Sequence, residues 1–339
     1  MEALSVRAVG MVSSVGNGAL ECAASVRAGL SRYGETSVMT RGLAPLRMAL
    51  VPDDALPALE VYDDAPRSAR HRRTLRLAAA AVGEALEAVA LRGAPCLVVS
   101  DLPDDAAAML ADDLAGAFGE SVDGAASRGL RAGAAGVYVA LLDAAHRIAQ
   151  GEASAVLVVA AGTRLDLAAL DDLQRAGRLL ADDAMEGFIP GEGAAALCVT
   201  AASGDALATI THVGVASDPF TPAGEEPMTA AGLTRAVQAV LPADASPARS
   251  LWLGLNGESW NAREWGVAAR RCHGLLAEGA AVRHPVECFG DPCAALGAMQ
   301  LALAATFLHR GWSEGPALVW NFSDDGLRGA ARLVAPGGL

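Results

Sequence analysis

Residues 186–197 read Glu186-Gly187-Phe188-Ile189-Pro190-Gly191-Glu192-Gly193-Ala194-Ala195-Ala196-Leu197. Glycines and a proline punctuate the first part as a turn. The turn runs straight into Ala194–Thr200, a small apolar run of strand length. Upstream, Gly151-Glu-Ala-Ser-Ala-Val-Leu-Val-Val-Ala-Ala-Gly162 predicts a strand at Ala155–Ala160. Before it, Gly133–Gln150 reads as a helix with an unusually small start, Gly133-Ala-Ala-Gly136. Small residues there permit close backbone approach. Both a packed central helix and a helix N-terminus facing a pocket fit that start.

Farther out, apolar strand-like runs alternate with alanine-rich helical ones, which argues for an α/β fold. In the first half, strands are expected at Leu4–Val12 and Cys96–Ser100, and helices at Ala19–Leu30, Ser68–Leu91 and Asp104–Phe118. In the second, strands are expected at Leu207–Val215, Leu251–Leu255, Val282–His284, Ala317–Asn321 and Ala330–Val334. Helices there are expected at Thr229–Leu241, Ser259–Ala277 and Pro292–Arg310. The order β-α-β-α-β-α-β-β thus occurs twice, with a boundary in the polar turn Ala202–Asp205. That gives halves 1–204 and 205–339. Ser31–Pro66, with its Pro and Asp clusters, reads as a loop insertion, and Ser217–Pro227 as a lid or a plain surface loop.

The chain has 339 residues, 53% hydrophobic and 19% charged, enough for a large core and too apolar for disorder. Its 26 basic residues are all arginine. Absence of lysine excludes Schiff-base chemistry, lysine-held pyridoxal phosphate and a P-loop lysine. The net charge of −13 disfavours nucleic-acid binding. No apolar run reaches the roughly 18 residues of a membrane span, and no secretory signal is visible. The six cysteines contain no CxxC pair and read as reduced thiols of a bacterial-type cytoplasm. His284, Cys288 and Cys293 match no strong zinc pattern, and no cofactor is implied.

Residues 186–197 resemble the glycine-rich hairpin D/E-G-F-V-x-G-E-G-A of the β-ketoacyl synthases, members of the thiolase-like superfamily. Gly10-Met-Val-Ser-Ser-Val-Gly16 is similar to that family's opening G-x-V-S/T-x-x-G, and Ala23–Leu30 to the helix that follows. Gly151–Gly162 is similar to its G-x-x-D-x-x-x-A-G-G strand, and Gly290-Asp-Pro-Cys-Ala-Ala-Leu-Gly-Ala298 to its G-H-x-x-G-A-A-G segment. The resemblance implies a thiolase-like fold: duplicated βαβαβαββ halves in a five-layered α-β-α-β-α architecture.

The family's chemistry needs a cysteine thiolate at a helix N-terminus, two histidines and a supporting lysine. The spacing puts Ala134 at the cysteine position, Asn256 and Asp291 at the histidines and Val286 at the lysine. Alanine cannot carry an acyl group, and a carboxylate repels the enolate a histidine pair would stabilise. The G-F-G-G turn that gates the family's acyl pocket is replaced around Phe322. Condensation by the family's mechanism is therefore not expected. Cys293, near the expected start of a helix, is the candidate for a relocated nucleophile, although Asp291 beside it would raise its pKa. Asn256, Glu258, Asp291 and Phe322 are the candidate lining of the relic pocket.

Arg67, Arg70, Arg72, Arg73 and Arg76 gather at the start of a long helix, where the macrodipole disfavours them. A comparable basic segment in the family docks acyl carrier protein. A solvated helix face, neutralised by Asp53, Asp54, Asp63 and Asp64, is the alternative. The resemblance implies a dimer, with itself or with another chain. The expected function is a non-catalytic scaffold, adaptor or chaperone-like partner of a carrier protein, an active ketosynthase or an effector. Stand-alone ketosynthase-like proteins beside type VI secretion effector genes are similar at Gly10–Leu30, Asn256–Glu258 and Glu264–Trp265. The alternatives are an acyl-ligand-binding module and an acyltransferase using Cys293.

Overall fold

The computed structural model describes residues 2–59, 66–181, 184, 186–242 and 245–338. Asp63 and Asp64 lie outside the described residues. The apolar run Leu4–Ser13 forms β1, antiparallel to β2 (Gly16–Asn17), and Ala19–Arg27 forms α1. A hairpin of β3 (Gly34–Met39) and β4 (Pro45–Met48) follows. Next come α2 (Ala69–Ala88), β5 (Ala94–Ser100), α3 (Asp104–Phe118), β6 (Val122–Arg131) and α4 (Gly136–Ala149). β7 (Ala155–Thr163), α5 (Leu167–Arg175) and β8 (Glu192–Ala201) complete the first set. The second set is β9 (Ala208–Ser217), α6 (Ala231–Val240), β10 (Ala248–Trp252), α7 (Ser259–Arg271) and β11 (Leu276–Arg283). It ends with α8 (Val286–Phe289), α9 (Leu296–His309), β12 (Ala317–Phe322) and β13 (Leu327–Val334).

The first set is ordered β6-β5-β7-β8-β1 and the second β11-β10-β12-β13-β9, so both sets place corresponding strands alike. In each, the two pairs at the outer edge are parallel and the others antiparallel. β1 and β9 pair antiparallel at Leu4↔Ile210, Ser5↔Thr209 and Val6↔Ala208, joining the two into one sheet. α4 and α9 pack between the halves in one apolar cluster. α9 is apolar on every side and buried from Leu296 to Leu308, as a helix with no solvent face must be. α2 and α3 cover the outer face of the first set, and α6 and α7 that of the second. The result is the five-layered α-β-α-β-α arrangement.

Several elements differ from expectation. The Ser31–Pro66 insertion contains the β3–β4 hairpin, because Leu46 and Met48 pack on Leu170, Leu179 and Phe188. Helix α5 starts at an unpredicted cap, where Asp166 accepts the Ala169 N–H at 2.9 Å. Helix α7 stops at Arg271, and the residues from Leu276 onward form an edge strand. β6, low in β-branched residues, is a strand because it pairs with β5 and lies over α3. Helix α9 starts at Leu296, not at Pro292: Cys293–Ala295 is a separate 3₁₀ turn.

Candidate functional site

Two close approaches shape the site. Gly297 on α9 lies against the backbone before α4, where an added Cβ would sit 2.2 Å from the Ala134 carbonyl oxygen. Gly257 adopts φ +111°, and a Cβ there would sit 2.5 Å from the Gly187 carbonyl oxygen. Glycine is needed at both, and the second seats the Asn256–Glu258 turn on the 186–197 hairpin.

Ala134 sits just before α4, buried and without a reactive atom. Asn256 follows β10, and Asp291 lies in the turn between α8 and α9. The fold brings these two together: Asn256 Nδ2 donates to Asp291 Oδ2 at 3.1 Å and to Glu258 Oε2 at 3.0 Å. The two bonded residues nevertheless line different cavities. A cavity of about 430 Å³ is lined by Ala134, Asp291, Cys293 and Phe322. A second, of about 390 Å³, is lined by Asn256, Glu258, His284 and Val286. The four residues expected to line one relic pocket are thus divided between two cavities.

Two arginines that the sequence reading did not single out dominate the first cavity's surroundings. Arg178 donates to both Glu258 oxygens, at 2.7 and 2.8 Å, and to both Asp324 oxygens, at 2.8 and 3.0 Å. It ties the segment after α5 to the turn after β10 and to the β12–β13 turn. Arg164 lies 3.6 Å from Asp291 and stacks over the Phe188 ring at 5.1 Å, and Arg178 faces the same ring at 5.6 Å. Their partners are distant in sequence, so spacing gave no sign of them. The only available signal was charge placed beside an apolar, glycine-rich hairpin.

This arrangement is rich in carboxylates and holds no thiolate. Asp291 already accepts from Asn256 and, at 2.7 Å, from the Cys293 N–H. Burial pushes the Cys293 thiol well up; Arg164 opposes the rise, while Asp101, Asp291 and Asp324 add to it. Cys293 also carries φ +54°, an uncommon backbone for a non-glycine residue. At neutral pH it is a protonated thiol, a weak nucleophile. His284 faces the second cavity and Cys293 the first, so the three residues considered as metal ligands do not converge. Among the described residues, no group of His, Cys, Asp or Glu is placed to hold a metal ion.

The basic cluster at the start of α2 is turned inward. Arg67 pairs with Asp113 at 2.7 Å, Arg70 with Asp101, Arg73 with buried Glu192 and with Asp53, and Arg76 with Asp53 at 2.7 Å. Arg72 donates to the Arg67 carbonyl oxygen at 3.2 Å. Instead of a free docking face, the cluster is a set of internal bridges, and this is how the helix start tolerates its cations. Burial would raise the Asp113 carboxyl, but hydrogen bonds from Arg67 and His71 outweigh it and hold it below the usual carboxylate range. A depressed folded pKa contributes stability above the unfolded value of about 3.9, lost as pH falls through the folded value. The thermal midpoint should therefore drop more steeply below about pH 4 in the wild type than in Asp113→Asn. Parallel acid limbs in the two proteins would refute the assignment.

No family profile matches this chain, and no curated protein matches it. Solved structures do. One is a type II polyketide synthase acyl-carrier protein in complex with its ketosynthase bound to the hexaketide, AntDE:AntF. It matches at TM-score 0.79 and 15% identity over 98% of this chain and 99% of that one. A second is the ketosynthase ApeO in complex with its chain length factor ApeC from Xenorhabdus doucetiae, at 0.75 and 16% over 98% of each chain. A third is the ishigamide ketosynthase/chain length factor, at 0.74 and 21% over 99% of this chain and 100% of that one. The fold is therefore thiolase-like along the whole chain. Its structural neighbours are ketosynthases and ketosynthase–chain length factor complexes. No helix among the described residues is long and apolar enough to cross a membrane.

Proposed function

We propose that this chain is a non-catalytic ketosynthase-like subunit whose role is to hold another protein. The observation that carries this reading is the site itself. Alanine, asparagine, aspartate and valine stand where the resemblance requires cysteine, two histidines and lysine. Arg178 further cross-links three of the surrounding loops through carboxylates. Such a centre lacks the groups for acyl transfer and decarboxylation, while the fold around it is intact.

The surface that fits a partner best is the open edge of β6. Among the described residues, this strand pairs only with β5. Ala132 N–H bonds the Ser100 carbonyl on β5 at 2.9 Å, so strand alternation turns the Arg131 N–H outward. Beyond the irregular stretch at 124–127, the regular edge Arg128–Arg131 is a template for a strand from another chain. The solved complexes of ketosynthase with chain length factor support a ketosynthase-fold mate, a second copy or another chain. Cytoplasmic service to a secreted effector belongs to the same reading and rests on the resemblance at Asn256–Glu258 and Glu264–Trp265.

The test is purification of the tagged chain from its own cell, wild type against Arg131→Pro. The expected result is a stoichiometric ketosynthase-fold mate with the wild type and at least about tenfold less of it with the proline variant, which removes one edge donor and stiffens the strand. Malonyl-thioester decarboxylation by the purified chain, or undiminished recovery with the variant, would overturn the reading.

A further inference from the structure

We propose that the cavity before α4 is a binding site for a small monocarboxylate, taken by the guanidinium of Arg164. Arg164 lines this cavity and differs from three other deep arginines. Arg73, Arg178 and Arg328 each hold a carboxylate in hydrogen-bonded geometry. Arg164 makes no side-chain hydrogen bond to any described residue; its nearest carboxylate, on Asp291, stands at 3.6 Å, and its Nε is buried without a partner. Yet its side chain is only 12% exposed and its face is covered by Phe188. A cation held this deep with its donors unused is costly unless something else completes it.

The surrounding carboxylates favour the cation but none makes a hydrogen bond to it, and all but the unpartnered Asp101 Oδ1 are held elsewhere. Asp101 is held by Arg70, Asp324 by Arg178, and Asp291 by Asn256 and the Cys293 N–H. The open space beside Arg164 is the cavity of about 430 Å³, enough for a small organic acid. Its floor is Gly133 and Ala134 at the start of α4, a fourteen-residue helix whose N-terminal dipole also favours negative charge. A planar carboxylate matches the guanidinium fork with two parallel hydrogen bonds. The acidic walls oppose any anion and a dianion such as phosphate most, so a monoanion paired directly with Arg164 is the charge the cavity tolerates best. Ala134 leaves the space that a larger side chain would fill.

This inference is independent of the partner-holding reading, since it concerns the isolated chain. The probes are acetate, phosphate and chloride at matched ionic strength, followed by ligand-observed NMR of the purified protein. Acetate should bind with a Kd on the order of millimolar, with phosphate and chloride at least about tenfold weaker. Arg164→Gln should weaken acetate by at least about tenfold. Ala134→Leu leaves the charges alone and fills the cavity floor, so it should abolish binding and serves if Arg164→Gln does not fold. No acetate binding to wild type, equal binding by Ala134→Leu, or phosphate as tight as acetate would each overturn the proposal.

Discussion

Arg178→Ala is expected to lower the free energy of unfolding by about 3–5 kcal/mol, the range for breaking a buried ion pair from one side. Most of this comes from Glu258, whose side chain is 5% exposed and which keeps only Asn256 as a side-chain donor once the guanidinium is gone. Asp324 is 45% exposed, so its bridge is screened and contributes little. Glu258→Leu in the Arg178→Met background should recover much of the loss, because removing both charges removes the orphan. Urea midpoints of the single and double variants measure this. A loss below about 1 kcal/mol for Arg178→Ala would mean that water reaches Glu258 and that the bridge does not lock the loops.

The parts of the fold that local chemistry determines were legible in the sequence. Helix α3 occupies Asp104–Phe118 as read, because Pro103 and two aspartates mark its start and Gly119 its end. The buried strands β7 and β8 are apolar apart from Thr163, Glu192 and Thr200, and their long apolar runs could be little else. What the sequence hid depends on distant partners. β6 reads Val-Asp-Gly-Ala-Ala-Ser-Arg-Gly-Leu-Arg and has no alternation; it is a strand only because β5 offers its edge. The β3–β4 hairpin exists because α5 and Phe188, far along the chain, cover its apolar side.

The site divides the same way. Motif spacing located Ala134, Asn256 and Asp291, and the last two do meet. It gave no hint that Arg178 would reach Glu258 eighty positions away, or Asp324 across 146. The basic cluster on α2 shows the converse: its sequence left a docking face and a face neutralised by nearby aspartates both open, Asp53 does pair with Arg73 and Arg76, and Asp101, Asp113 and Glu192, which spacing could not point to, take the rest. In a chain without lysine, every fixed strong cation is a guanidinium, able to bridge two carboxylates at once. Carboxylates and arginines hold the loops of this centre together. Arg164 lines the cavity with its Nε buried and no side-chain hydrogen bond to a described residue, which is why that residue, rather than the whole site, points to a ligand.

Arg328 carries the second large effect. It and Glu264 are both fully buried, joined at 2.8 Å between Nε and Oε1. Burial raises the Glu264 carboxyl, with Arg328 opposing the rise. Arg328→Met should cost about 3–5 kcal/mol by leaving that carboxylate uncompensated. The sign of the pH dependence follows: a folded pKa raised above the unfolded value of about 4.3 means stability falls as pH rises between the two. The variant should therefore be less impaired near pH 5 than near pH 8, and Arg328→Met with Glu264→Leu should regain much of the loss and lose that slope. The effect reaches the cavity, because Arg328 Nη1 also donates to the Ser323 carbonyl at 3.1 Å, and Ser323 Oγ accepts the Ala135 N–H at 3.0 Å. The double variant restores charge balance but not that support. It should fold, yet bind acetate more weakly than the wild type. Equal acetate binding would show that the Ser323 loop holds its place without Arg328, and a pH-independent loss in Arg328→Met would show that Glu264 does not titrate in the folded chain.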